Sequence, residues 1–150
     1  GAEMDGFPGG GAAGGVGAAA VALLGATFRP GIDIALECTR FAERAAGADL
    51  VFTGEGRYDR QTLSGKAAFG VAQAAAALRI PVCVLAGGID ATAEWQLPGS
   101  AVVLPIADGP LTLAESQERA ASLIAAAARR ATALFMAGRQ GKPDGAWMPA

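Results

Sequence analysis

Three short apolar bursts, each stopped by glycine or by an acid beside glycine, constrain this chain most. Asp49-Leu-Val-Phe-Thr53 runs into Gly54-Glu55-Gly56, and Ile80-Pro-Val-Cys-Val-Leu-Ala86 runs into Gly87-Gly88 and Asp90. Ser100-Ala-Val-Val-Leu-Pro105 is closed by Asp108-Gly109-Pro110. Runs of this length, apolar at successive positions, read as strands covered on both faces, as in a parallel sheet. The segments between and after them are rich in alanine and read as helices, one from Gly65 to about Leu78 capped by Ser64. Another follows Thr112-Leu-Ala-Glu115, whose spacing is that of a capping box. It is expected to run to about Ala137, with Leu123, Ile124, Ala127, Ala131, Leu134 and Phe135 on one stripe and Glu115 paired with Arg119. The alternation predicts an α/β layered fold with a largely parallel, Rossmann-like sheet, its strands' carboxyl ends along one edge, where ligands of such sheets bind.

The amino-terminal third is less decisive. Gly1 to Gly15 is a glycine-rich lead into Val16 to Leu24, a helix with small residues on every face that is expected to be closely packed. In Ile32-Asp-Ile-Ala-Leu-Glu-Cys38 the larger apolar residues alternate, which favours a short strand followed by a helix over Arg40 to Ala46. Ile34, Cys38, Phe41 and Ala45 also fit one helical stripe, so a single helix is the competing reading. The domain is expected to span residues 1–138, with 139–150 a loosely ordered tail.

Composition removes several classes of function. The 150 residues include no histidine, which excludes histidine-based zinc sites and Ser-His-Asp or Cys-His catalysis within the chain. Twelve basic and 14 acidic residues are spread along it, so no basic stripe offers itself to nucleic acid or an anionic membrane. No uninterrupted apolar run reaches the roughly 18 residues that span a bilayer, and a cytoplasmic address is expected. Cys38 and Cys83 stand far apart and are expected to be reduced thiols packed as small apolar groups. With no methionine at position 1 and no strand before the first glycine cluster, the chain is expected to be a piece of something longer.

The charged residues gather in one place. Gly54-Glu-Gly-Arg-Tyr-Asp-Arg-Gln-Thr-Leu-Ser-Gly-Lys66 carries Glu55, Arg57, Asp59, Arg60 and Lys66 between an apolar and an alanine-rich run. Gly54 and Gly56 permit backbone approaches that a Cβ blocks. Glu55, Arg57 and Asp59 alternate, so in an extended loop they can converge on one side. Carboxylates beside an arginine suit Mg²⁺ and phosphate. Lys66 opposes the dipole of the helix it opens, which is easier to understand if an anion binds there too. The competing reading is a solvated loop whose acids and bases pair with each other. Gly9-Gly-Gly-Ala-Ala-Gly14 matches GxGxxG without a preceding strand, so it reads as a glycine turn or as an anion cradle rather than a dinucleotide fingerprint. Gly65-Lys66 is no Walker loop, because Arg60 and Ala67 stand where Gly and Ser/Thr are required. Asp90 and Asp108 read as ordinary turn residues.

These residues carry a resemblance. GGGAAGGVGAAAVALLGATFRPGIDIALE and ADLVFTGEGRYDRQTLSGKAAFGVA, with the pattern GEGRxDxQTxxGK, resemble the carboxyl-terminal part of the bacterial glycerate kinases. The resemblance implies one portion of a two-domain α/β kinase that transfers the γ-phosphoryl of ATP to D-glycerate, usually giving 2-phosphoglycerate, with Mg²⁺. It implies that Arg57 and Lys66 bind phosphate or carboxylate, and that Glu55 and Asp59 hold Mg²⁺ or orient the glycerate hydroxyl. Gly14, Gly15, Gly54, Gly56, Gln61 and Gly65 are then the positions where backbone or side chain meets phosphate or substrate. Two alternatives stay open: a noncatalytic nucleotide- or anion-binding α/β module, and a structural remnant that self-associates through an exposed former interface into a homo-oligomer.

Overall fold

The structure is a computed structural model and describes residues 11–60, 62, 66–90 and 97–140. Its centre is a parallel sheet of three strands, β1 (Val51–Tyr58), β2 (Val82–Ile89) and β3 (Ala101–Pro105), in the order β1-β2-β3. Val51 lies opposite Val82 and Val82 opposite Ala101, so the strands start level and their carboxyl ends share one edge, as expected. Helix α4 (Ala67–Ala77) connects β1 to β2. Helices α5 (Leu113–Glu118) and α6 (Ala120–Gln140) follow β3.

Alternation along β2 divides the core. Val82, Val84 and Ala86 pack with Ala68 and Ala75 of α4, and Cys83 and Leu85 pack with Leu123, Ala127 and Ala131 of α6. Alanine on both helices brings their axes close to the sheet, which is why β2 is buried along most of its length. Leu123 is 1% exposed at the centre of the second cluster. Leu123→Ala is expected to destabilise the fold by about 2–5 kcal/mol, because a cavity replaces a well-packed side chain. A urea-denaturation midpoint unchanged by the substitution would contradict that placement.

The capping box is present: the Thr112 hydroxyl accepts from the Glu115 amide, and the Glu115 carboxylate accepts from the Thr112 amide at 2.8 Å. Glu115 is therefore committed to its cap, and Arg119, its expected partner, donates instead to Asp108 at 3.2 Å. The helix breaks at Arg119, so the single long helix expected from the sequence is two, α5 and α6. Of the predicted stripe, Leu123, Ala127 and Ala131 are buried, whereas Ile124 and Leu134 are exposed. Hydrogen bonds to Thr112 hold the Glu115 carboxyl below its ordinary value. A depressed folded value gives stability that is complete above the unfolded value near pH 4.5 and is lost as pH falls through the folded one. Glu115→Gln is expected to shrink the fall in melting temperature between neutral and acid pH, read by thermal scans. An undiminished fall would overturn that contribution.

Other expectations are corrected. Gly31–Cys38 is a helix, α2, not a strand, and it is separate from α3 (Phe41–Ala45) because Arg40 between them is left-handed at φ 51°. Ile32 packs directly on Gly70 of α4, where a Cβ would sit 2.3 Å from the isoleucine side chain; that contact defines the side of α2 that faces α4, although none of its residues is fully buried. Helix α1 (Val16–Leu24) has no buried residues, and Leu23 and Leu24 are both 81% exposed, so it is not the closely packed helix its small residues predict. Cys83 is a buried free thiol, pushed up in pKa by burial, but Cys38 is exposed. The expected cap Ser64 lies outside the described residues, and Lys66 occupies the cap position of α4. Helix α6 runs through Gln140, and residues 141–150 lie outside the described structure. Among the described residues α6 alone is long and apolar enough, by length and composition, to cross a bilayer. Its buried face rests on β2, and Arg129 and Arg130 lie midway along it.

Candidate functional site

The GEGRY segment is strand rather than loop, and Asp59 begins the turn that follows it. Where the apolar run alone predicts a strand ending near Thr53, β1 continues through Gly54, Glu55, Gly56 and Arg57 to Tyr58, paired with β2 as far as Ile89. Two glycine pairs meet there, Gly54 and Gly56 on β1 with Gly87 and Gly88 on β2. A Cβ on Gly87 would lie 2.6 Å from the backbone oxygen of Gly56, so the strands approach too closely for any other residue at that position. Burial alternates along β1 until Gly56 and Arg57, both exposed, and then Tyr58 is fully buried. This break in alternation leaves the Arg57 guanidinium outside, with 69% of its side chain exposed, while Tyr58 anchors the strand end in the core. Burial raises the Tyr58 pKa, so the phenol stays neutral.

Each charged residue has a defined place. Arg57 donates to Asp90 at 3.4 Å, and the Asp90 amide donates to the Tyr58 carbonyl at 2.9 Å. Asp90, read from sequence as a turn residue, thus belongs to the site; its signal was its place just beyond a strand end, intelligible only with the β1-β2 register known. Asp59 forms a tight turn with Thr62, itself fully buried: the Thr62 amide donates to Asp59 Oδ1 and the Asp59 amide donates to the Thr62 hydroxyl, both at 3.2 Å. Lys66 Nζ lies 3.7 Å from the same Asp59 Oδ1. The two cations therefore stand in two separate ion pairs. Glu55 differs, because its Oε2 is buried with no hydrogen-bond partner among the described residues. Leaving a carboxylate oxygen desolvated and unpaired is costly, and such an atom is a ready ligand for a cation or acceptor for a hydroxyl.

Gly14 and Gly15 are not brought to this edge by the main packing contacts; α1 rests chiefly on the turn before it. Both are left-handed, at φ 69° and 89°, and a Cβ on either would meet nothing within 4 Å, so backbone conformation rather than close approach calls for glycine there. Gln61 and Gly65 lie outside the described residues.

A cavity of about 780 Å³ opens on the α5-α6 face of the sheet beside this edge. Phe52, Leu85, Ile106, Leu113 and Ile124 line it, with Gly54, Gly56 and Arg57 along β1 and Ser116 and Gln117 on α5. Its size is that of a small-molecule site. Among the described residues no three acidic, cysteine or histidine groups cluster as a metal cage. Mg²⁺ does not require one, since it commonly binds through one or two carboxylates plus substrate phosphates. The orphaned Glu55 oxygen fits that use, whereas Asp59 Oδ1 is already engaged by Thr62 and Lys66.

Fold and geometry together define an α/β protein with charged residues and a cavity gathered at the carboxyl edge of a parallel sheet. Residues 1–136 match the Glycerate kinase family, and the chain belongs to that family. It is 40% identical over 134 residues to a glycerate kinase of Bacillus cereus, covering 89% of this chain and 35% of that protein. It is 42% identical over 87 residues to glycerate 2-kinase of Escherichia coli, covering 58% of this chain and 23% of that protein. A crystal structure from Salmonella typhimurium LT2, of a protein assigned as a glycerate kinase 2, superposes with a TM-score of 0.62 at 40% identity, over 88% of this chain and 34% of that one. The chain thus spans about a third of the length of the longer-matching relatives.

Proposed function

We propose that the protein catalyses ATP-dependent phosphorylation of D-glycerate to 2-phosphoglycerate, with this segment supplying one wall of the active site. The observation that carries this reading is that one strand end holds both an exposed Arg57 guanidinium and, two residues away, a buried Glu55 oxygen with no hydrogen-bond partner among the described residues. Phosphoryl transfer needs mainly positioning and charge stabilisation, which suits a chain without histidine. Arg57 grips phosphate or the glycerate carboxylate in a bidentate way, and Lys66 adds a point charge at the opening of α4. Glu55 through Oε2, with Asp59 as the second carboxylate of this edge, would hold Mg²⁺, which would supply positive charge to offset that of the nucleotide phosphates. Asp59 stays oriented by Thr62, so the turn after β1 keeps Lys66 within reach of the same anion. Gln61, Gly65, Gly14 and Gly15 are assigned to phosphate or substrate binding on the family resemblance alone. The expected compartment is the cytoplasm, where ATP is available.

The test is a coupled ADP-release assay on the full-length protein with D-glycerate, ATP and Mg²⁺, the product assigned by phosphorus NMR. ADP release dependent on glycerate, with phosphate on the 2-hydroxyl, supports the reading. Calorimetric binding of ATP without ADP release identifies a noncatalytic nucleotide-binding module. Concentration-dependent self-association with no ligand binding identifies a structural remnant.

A further inference from the structure

The cavity beside the site has its charged residues on β1 and is largely apolar over the rest of its lining. Along β1 it runs from Phe52 to Arg57, about 16 Å of strand at roughly 3.3 Å per residue. Among its lining residues the charged ones, Glu55 and Arg57, stand at the carboxyl edge of the sheet. The remaining walls are Phe52 and Leu85 from the sheet, Ile106 just beyond the end of β3, and Leu113 and Ile124 from α5 and α6. Gly54 and Gly56 lie on the more exposed side of β1 and leave bare peptide between those walls. A Cβ at Gly54 would make only an ordinary 3.6 Å contact and one at Gly56 would meet nothing, so packing does not require glycine at either. The absence of side chains there keeps the slot open. Ser116 and Gln117, on the exposed turn of α5, add hydrogen-bonding groups to an otherwise apolar wall.

The geometry points to this slot as the binding site for the purine base of the nucleotide co-substrate, with its phosphates extending along β1 to Arg57. The inference rests on the kinase reading above and deepens it by assigning the base to the α5-α6 face of the sheet. A flat aromatic ring is accommodated between Phe52 and the helix side chains, above a glycine floor that offers no obstacle to close contact. Ser116 and Gln117 can pair with its ring nitrogens and exocyclic amine. Glycerate, small and polar at every carbon, has no use for such walls and belongs at the charged end.

The test uses the full-length protein and adenosine, which has the base without the phosphates. Adenosine is expected to inhibit competitively against ATP and not against glycerate. Ile124→Trp, at a site already 46% exposed, fills the slot from α6 and is expected to raise KM for ATP about tenfold or more. KM for glycerate should stay within about twofold. Leu113→Ser, at a residue 74% exposed whose truncation costs the fold little, is the second variant and should raise KM for ATP several-fold at an unchanged melting temperature. Failure of adenosine to compete, or a folded Ile124→Trp with unaltered KM for ATP, overturns the assignment, as does a rise in KM for glycerate alone. If the wild-type protein releases no ADP with glycerate, the kinase reading fails separately and the slot is read by calorimetry with adenosine. Binding abolished by Ile124→Trp then supports the slot, and binding that is absent or insensitive to the substitution overturns it.

Discussion

Arg57→Ala in the full-length enzyme is expected to lower kcat/KM by about 10²- to 10³-fold, the usual cost of removing one well-placed donor to developing charge. That loss corresponds to about 3–4 kcal/mol of transition-state stabilisation. The fold should scarcely register the change. The Arg57 guanidinium is 69% exposed and the Asp90 carboxylate 31%, at a separation of 3.4 Å. A solvent-screened pair of this kind contributes about 0–1 kcal/mol to stability. The urea midpoint should therefore be nearly unmoved while turnover collapses. Arg57→Lys keeps the charge without the planar fork and should recover only part of the rate. Near-normal turnover in Arg57→Ala would remove Arg57 from the active site, and lost turnover with a matching loss of stability would mean a structural role.

Gly87→Ala should do the opposite, damaging fold and site together. Its methyl group would sit 2.6 Å from the Gly56 carbonyl oxygen, a backbone atom that no rotamer change can move aside. Glu55 opposite Ala86 and Arg57 opposite Gly88 pin the strands on either side of the clash, so relief means prising β1 from β2. Overpacking of this kind costs about 1–3 kcal/mol, or roughly 2–10 °C in melting temperature at this chain length. Activity should fall further than the loss of stability accounts for, because Arg57 rides on the displaced strand. Gly88→Ala is the control: a Cβ there meets nothing within 4 Å, and stability should hold. Equal stability of the two variants would contradict the close approach.

The sheet was legible in the sequence because a short uninterrupted apolar burst bounded by glycine suits a strand better than a helix, although only β2 is covered on both faces and Phe52 of β1 and Val102 of β3 are 40% and 49% exposed. The site was legible as a cluster of charges but not as a shape. Gly-Glu-Gly after an apolar run has the look of a strand terminator, and the missing Cβ of Gly87, which would meet the Gly56 carbonyl oxygen, lets β1 continue beside β2 through it. That information sits 31 residues away in the register and in no local pattern. Gly31–Cys38 failed for a related reason: Ile32, Ile34, Leu36 and Cys38 alternate as a strand would, but packing of Ile32 on Gly70 decides which side faces α4. Tertiary contact overrode a period too short to discriminate. The exposure of α1 and of Cys38 was equally illegible, since small apolar residues say what can be buried and not what is.

That Glu55 and Arg57 stand on a paired strand has a kinetic corollary for the backbone around them. Amides of residues 54–58 bonded to β2 should exchange with deuterium only when the sheet opens as a unit, at rates set by global rather than local unfolding. Solvent reaches the Arg57 side chain, yet the β2-bonded amides beneath it should be slow to exchange.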